Sequence, residues 1–204
     1  LLWATLGSEG GIAWRSKVTL GFDGSKFHDT TALVVTDLLS GRQELLGFWD
    51  PATCPDGEIP EDEVNDVVMD AFRKWKVLRF YAQPPYWETA VGRWAGRFGS
   101  KRVGKWWTNR PKPMSFALKA YGHAIQSKEL SHDGNKTFAE HIGNAWRHEL
   151  TLKDDQGKPL WVIRKERGDS PKKIDAAMAG CLSWEARRDC IAEGLAKRQI
   201  SASW

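Results

Sequence analysis

The segment Lys17-Val18-Thr19-Leu20-Gly21-Phe22-Asp23-Gly24-Ser25 begins as a β-branched, apolar run and breaks on turn chemistry. It predicts a strand that ends on an aspartate, with two small residues beyond it where backbone, metal or phosphate could approach closely. Working outward, Thr30 to Thr36 and Gln43 to Trp49 read as two further strands around a turn at Leu38 to Gly41. Three antiparallel strands in succession make a meander. Upstream, Leu1 to Ser16 carries Gly7, Gly10 and Gly11 without sustained periodicity, and is expected to be a linker, with order beginning near Lys17.

Downstream the pattern changes to alternating helices and strands. Glu61 to Trp75 sets Val64, Val67, Val68, Ala71, Phe72 and Trp75 on one helical stripe, with Glu61, Asp62 and Glu63 at its electropositive start. Val77 to Ala82 reads as a short buried strand stopped by Pro84-Pro85, and Trp87 to Phe98 as a helix. A strand over Val103 to Thr108, helices over Pro113 to Ser127 and Lys136 to Arg147, a hairpin from Leu150 to Arg164 and a long helix from Pro171 to about Ala196 complete the reading. The fold class is α/β: a mixed sheet of three antiparallel strands plus parallel ones, flanked by helices.

Bulk properties narrow the function. The 204 residues suffice for one domain, and 41% hydrophobic with 27% charged residues is a globular balance. No apolar run reaches the roughly 18 residues of a membrane span and no signal-peptide order opens the chain, so a cytoplasmic location is expected. Cys54, Cys181 and Cys190 form neither an even set nor a C-x-x-C pair, which argues against a disulfide framework or zinc site, and read as buried or incidental thiols. The net charge of +4 favours an anionic partner only modestly. The twelve tryptophans read first as packing rings rather than base-stacking platforms. The phosphate-cradling G-x-x-x-x-G-K-[ST] pattern is absent.

Two carboxylates stand out. Asp23 closes the first strand, and an aspartate that merely caps its own turn is the bland alternative. Asp175 lies in Ser170-Pro171-Lys172-Lys173-Ile174-Asp175-Ala176-Ala177, one residue from an apolar stripe of Ile174, Ala177, Met178 and Cys181. There a carboxylate can reach inward toward a sheet. The neighbouring Arg164, Lys165, Arg167, Lys172 and Lys173 are a solvated face unless a phosphodiester site adjoins them, in which case they would hold a DNA backbone without reading sequence. His132 and Asp133 read as a helix-capping turn.

Several segments together resemble the nuclease domain of tailed-phage terminase large subunits. They are Gly21-Phe22-Asp23-Gly24-Ser25, Asp29-Thr30-Thr31-Ala32-Leu33, Tyr81-Ala82-Gln83-Pro84-Pro85-Tyr86-Trp87, Trp106-Trp107-Thr108-Asn109-Arg110, His132-Asp133-Gly134 and Ser170 to Ala177. The resemblance runs from Gly21 to about Arg187. It implies a ribonuclease-H-like sheet and a metal-dependent endonuclease that cuts double-stranded DNA during genome packaging in the host cytoplasm. Asp23, Asp175 and the fourth-strand position would hold two Mg²⁺ or Mn²⁺ ions. It further implies an ATPase domain on the same parent chain, upstream of a linker over residues 1–16, with residues 17–198 the nuclease domain and 199–204 a tail. Portal and small terminase subunit are implied as partners.

The sequence departs from that pattern at one place, where Gln83 stands before Pro-Pro instead of an aspartate. An amide oxygen can coordinate a cation but brings no charge, so activity is expected to be lowered, with Glu88 and Asp169 the acids that could substitute. Two other readings stay open: another ribonuclease-H-like nuclease, of resolvase or transposase type, or a catalytically silent DNA-gripping or docking domain.

Overall fold

The computed structural model describes residues 2–27, 29–167 and 170–196. The meander is β1 (Lys17–Asp23), β2 (Thr31–Asp37) and β3 (Arg42–Trp49). Helix α1 (Glu61–Lys74), β4 (Lys76–Ala82), α2 (Glu88–Phe98), β5 (Val103–Lys105) and α3 (Pro111–Gln126) follow. After them come β6 (Ser131–His132), α4 (Lys136–Gly143), a hairpin of β7 (Trp146–Lys153) and β8 (Pro159–Arg164), and α5 (Asp175–Ala192).

Six strands form one sheet in the order β5-β4-β1-β2-β3-β6. β1 pairs antiparallel with β2 and parallel with β4, β2 pairs antiparallel with β3, and β5 and β6 add in parallel at the edges. The α/β mixed sheet expected from the sequence is therefore the fold. Its period of two sorts β1 between two cores. Val18, Leu20 and Phe22 pack with Val64, Val68, Val91 and Trp94 of α1 and α2. Each such buried aliphatic or Phe side chain contributes about 1.5–3 kcal/mol. The alternate residues, Thr19, Gly21 and Asp23, face α5, whose Ala176, Ala179, Cys181 and Trp184 belong to the second core with α3 and α4.

Helix α5 crosses β1 at very close range. A Cβ on Gly21 would collide with the Ala179 carbonyl oxygen and the Ser183 nitrogen, so helix and strand touch backbone to backbone. Buried hydroxyls and amides hold that contact: Thr19 Oγ1 donates to the Ser183 carbonyl at 2.8 Å, and the Gln43 amide donates to the Gly180 carbonyl at 2.9 Å. Tyr121 of α3 donates to the other end of the Gln43 amide at 2.8 Å, so the buried Gln43 side chain is satisfied on both sides.

Some elements differ from the sequence reading. Order begins well before Lys17. Residues Leu2–Leu6 form a 3-10 helix, Trp3 stacks on His132 at 4.3 Å, and Leu6 and Ile12 are buried. The carbonyls of Ser8 and Gly10 take the guanidinium of Arg42, so the glycines serve turns that pack on the sheet rather than a free linker. β5 stops at Lys105, three residues short of the expected Thr108, and β6 is a two-residue edge too short to leave a pattern. The hairpin starts at Trp146 because α4 ends at Gly143. Helix α5 starts at Asp175 rather than Pro171, since the Lys173 carbonyl accepts from the Asn144 side chain and Ile174 is non-helical.

The tryptophan reading holds for Trp3, Trp75, Trp87, Trp94 and Trp184, all buried, while Trp14 and Trp146 are exposed. The three cysteines are free thiols. Among the described residues no helix is long and apolar enough to cross a membrane.

Candidate active site

The site lies where the C-terminal end of β1, with that of β4 beside it, comes within electrostatic reach of Asp175 at the N-terminus of α5. Asp23 is the last residue of β1, and the Gln83 backbone N–H donates to the Phe22 carbonyl at 3.0 Å, so position 83 continues β4 directly alongside. In β4, Phe80 and Ala82 enter the first core and Tyr81 reaches Asp189 of α5, and the same alternation carried one step on assigns Gln83 to the α5 side. Gly24 is required here. A Cβ would lie 2.6 Å from the Phe22 ring and 2.7 Å from Trp87, whose indole N–H donates to the Ser25 carbonyl at 3.3 Å. That ring closes the floor beneath the turn after Asp23.

Asp175 opens α5 and is 8% exposed. The Thr30 hydroxyl, itself fully buried, donates to its Oδ2. Burial raises the Asp175 carboxyl to about 6, with the charge of Asp29 adding to the rise and the Thr30 hydrogen bond and Lys165 opposing it. Asp23 is pushed well above the carboxylate range, by burial first and then by the charges of Asp175 and Asp29. Two acids that each resist ionisation, in electrostatic reach of one another, make a place where a cation would be welcome.

Asp29 stands out in the sequence only within a resembling segment, yet the structure puts it in this cluster. It sits in the β1–β2 loop, its N–H donating to Ser25 Oγ at 3.2 Å. Lys165, just past β8, lies 2.5 Å from one carboxylate oxygen, and Lys173, just before α5, lies 2.9 Å from the other. Burial alone would raise Asp29, but these two ammonium groups outweigh it and hold the carboxyl below its ordinary value. Lys173 is raised in turn: its partial burial is outweighed by the hydrogen bond to Asp29. The only advance signal was an acid beside Thr30-Thr31 at a strand start, which sequence alone cannot distinguish from a turn.

The basic cluster divides. Lys165 and Lys173 grip Asp29, Lys172 lies 3.6 Å from Glu166, and Arg164 and Arg167 are exposed. A cleft of about 630 Å³ runs between the hairpin and the start of α5, lined by Asp29, Arg147, Arg164, Lys165, Arg167 and Ile174 among others. It adjoins the acid cluster through Asp29 and is cationic along its outer wall. Glu88 is exposed at the start of α2, and Asp169 lies outside the described residues. His132 is buried against Trp3, with Asp133 accepting from the Asn135 N–H at 2.9 Å; the cap of α4 itself is Asn135, two residues further on than expected.

Among the described residues no three His, Cys, Asp or Glu side chains gather tightly enough to form a metal cluster by themselves. The donor chemistry of Asp23 and Asp175 nonetheless fits a hard divalent cation, since both offer carboxylate oxygens whose raised pKa values a dication would reverse.

No known protein-family model matches the chain. The gene 13 proteins of Mycobacterium phages D29 and L5 are 34% and 33% identical over 184 residues, which is 86% of this chain. The chain spans only 30% of the length of those curated relatives. Among solved structures, the large terminase nuclease of thermophilic phage G20c with bound magnesium superposes with a TM-score of 0.62 at 14% identity, over 88% of this chain and 89% of that one. The large terminase of bacteriophage HK97 gives 0.67 at 16% identity, over 89% of this chain and 41% of that one. The Thermus phage P74-26 large terminase nuclease domain gives 0.56 at 13% identity, over 85% and 82%. The chain therefore has the ribonuclease-H-like fold of the phage large terminase nuclease domains.

Proposed function

We propose that this chain is the metal-dependent endonuclease domain of a DNA-packaging terminase, cutting double-stranded DNA in the host cytoplasm. The observation that supports the reading is that Asp23, at the end of β1, is raised by the charge of Asp175, at the start of α5, in a fold shared with the terminase nucleases. Similar nucleases have been crystallised with bound magnesium, cobalt or zinc, which supports divalent-metal use here. In this reading Asp23 and Asp175 hold Mg²⁺ or Mn²⁺, and Gln83 contributes an uncharged amide oxygen. Bound there, the cation would supply an activated water and neutralise charge developing on the phosphodiester.

The chain's own groups do the rest. Exposed Arg164 and Arg167 on the cleft wall hold the phosphate backbone, a contact that sets position rather than sequence. Trp87 and Phe22 wall the floor under the turn after Asp23 and keep it dry. With two charged ligands rather than three, the donor set suits one tightly held cation, and a second would be weak. An ATPase domain elsewhere on the parent chain, a portal and a small terminase subunit are the partners this reading requires. A catalytically silent DNA-gripping domain is the second reading, and what favours it is Gln83 together with Asp29, the third acid of the cluster, being held by Lys165 and Lys173.

Plasmid nicking tests the proposal. Activity is expected with Mn²⁺ or Mg²⁺, to vanish with a chelator and to vanish in Asp23→Ala. Duplex binding without any nicking under saturating Mn²⁺ would favour the silent reading, and cutting that survives chelation would exclude this site.

A further inference from the structure

Helix α5 begins without a side-chain cap of its own: Ile174 occupies the cap position and offers no acceptor to the first turn. Its first N–H groups are orphans unless another element serves them. His141 of α4 does so. Its Nδ1 accepts from the Ala176 backbone N–H at 3.0 Å, across 35 residues of chain, and the ring is buried edge-on against Phe48. That bond needs an unprotonated ring nitrogen, and burial holds His141 down to about 4. Thr30, just before β2, is fully buried and donates its hydroxyl to Asp175 Oδ2. Thr30 and His141 thus reach the start of α5 from two elements and fix two different things: the direction of one carboxylate and the place of the backbone that bears it.

We propose that Thr30 and His141 are positioning residues for Asp175, Thr30 aiming its carboxylate and His141 anchoring the first turn of α5 in trans. The inference rests on the reading of Asp175 as a cation ligand and goes beyond it by naming what orients that ligand. Groups that orient a metal ligand typically account for about 10–100-fold in metal affinity.

The test is direct Mn²⁺ binding by titration calorimetry on the whole chain, with metal-free thermal unfolding measured alongside. Thr30→Val keeps the shape and removes the hydroxyl, and is expected to weaken Mn²⁺ binding about tenfold or more. Thr30→Ser restores the donor and should recover most of that loss. His141→Leu should weaken binding similarly, whereas His141→Asn, whose amide oxygen sits about as far from Cβ as Nδ1, should stay within a few-fold of the parent. If His141→Leu does not fold, the Thr30 pair and His141→Asn carry the comparison. Unfolding temperatures that drop in Thr30→Val while Mn²⁺ affinity stays put would mean a purely structural role and overturn the inference. Asp175→Asn separates the two levels: if it leaves Mn²⁺ binding unchanged, or if the parent chain binds no Mn²⁺, the site reading falls and the inference with it. If Asp175→Asn abolishes binding while Thr30→Val and His141→Leu do not weaken it, only the inference falls.

Discussion

Lys165 and Asp29 lie 2.5 Å apart, an ion pair that ties the end of the β7–β8 hairpin to the loop following β1. Lys173 completes the clamp from the segment leading into α5. While Asp29 holds both ammonium groups, neither is fully available to a phosphate. Asp29→Asn is therefore expected to tighten sequence-independent duplex binding and to steepen its salt dependence by roughly one to two units, about 0.9 for each phosphate that a released lysine neutralises. Fluorescence anisotropy across a salt series reads both, and an unchanged slope would mean the lysines never face the DNA.

The converse experiment removes the exposed arginines. Arg164→Ala with Arg167→Ala should lower the salt slope by roughly two units, since each arginine neutralises one phosphate at about 0.9 apiece. Lys172→Ala with Lys173→Ala should lower it by less, because both ammonium groups already have carboxylate partners in Glu166 and Asp29. Equal effects from the two pairs would show that DNA displaces those partners.

Gln83→Asp should raise both Mn²⁺ affinity and plasmid nicking. The new carboxylate would stand at the end of β4, next to Asp23 across the β1–β4 ladder. At a few ångströms and an effective dielectric of about 20, a full charge beside a dication is worth on the order of several kcal/mol before desolvation. Even a third of that shows, because about 1.4 kcal/mol is tenfold in rate or affinity. Comparing saturating with low Mn²⁺ separates a binding defect from a chemical one. No gain at either concentration would remove position 83 from the ligand set.

Metal-free stability should carry the signature of Asp175. Its carboxyl titrates at about 6 in the folded chain against an ordinary value of 3.8. A raised acid contributes stability that is fully present below the unfolded pKa and is lost as pH rises through the folded one. Relative to the parent in chelator, Asp175→Asn should therefore gain stability from about pH 4 to pH 6, levelling off near 3 kcal/mol at about 1.4 kcal/mol per pKa unit. His141 runs the other way, since a base lowered to about 4 adds stability as pH climbs toward its ordinary 6.5. Urea midpoints from pH 4 to 7 would show both, and a pH-independent difference between Asp175→Asn and parent would contradict the burial argument.

The core of this arrangement was legible because it is periodic or punctuated. The β-branched run ending at Asp23-Gly24-Ser25 announced β1 and the aspartate that closes it, and the apolar stripe around Asp175 announced a helix, though one begun four residues too early. Asp29 was not legible as a site member, because its role depends on Lys165 and Lys173, which lie 136 and 144 positions away by residue number. His141 was equally opaque, since its partner is a backbone N–H on a helix it does not precede. The first 16 residues misled because glycines that make turns against a sheet leave the same trace as glycines in a linker. The basic cluster read as one face, and only the folded chain separates the lysines that grip acids from the arginines that reach solvent.

Gly21 stands two positions before Asp23, and Ala179, which it abuts, stands about one helical turn after Asp175. The span between the two acids is therefore gauged first by main chain against main chain, with the side chains of Thr30 and His141 trimming it at the Asp175 end. Such a gauge lets the periphery be rewritten cheaply: positions 29, 83 and 88 can exchange charge for amide, or amide for charge, without the two acids drifting apart. The same gauge has no slack at its own contact. A methyl group at position 21 would act as a shim under α5, opening the spacing at the one contact that has no side chain to yield.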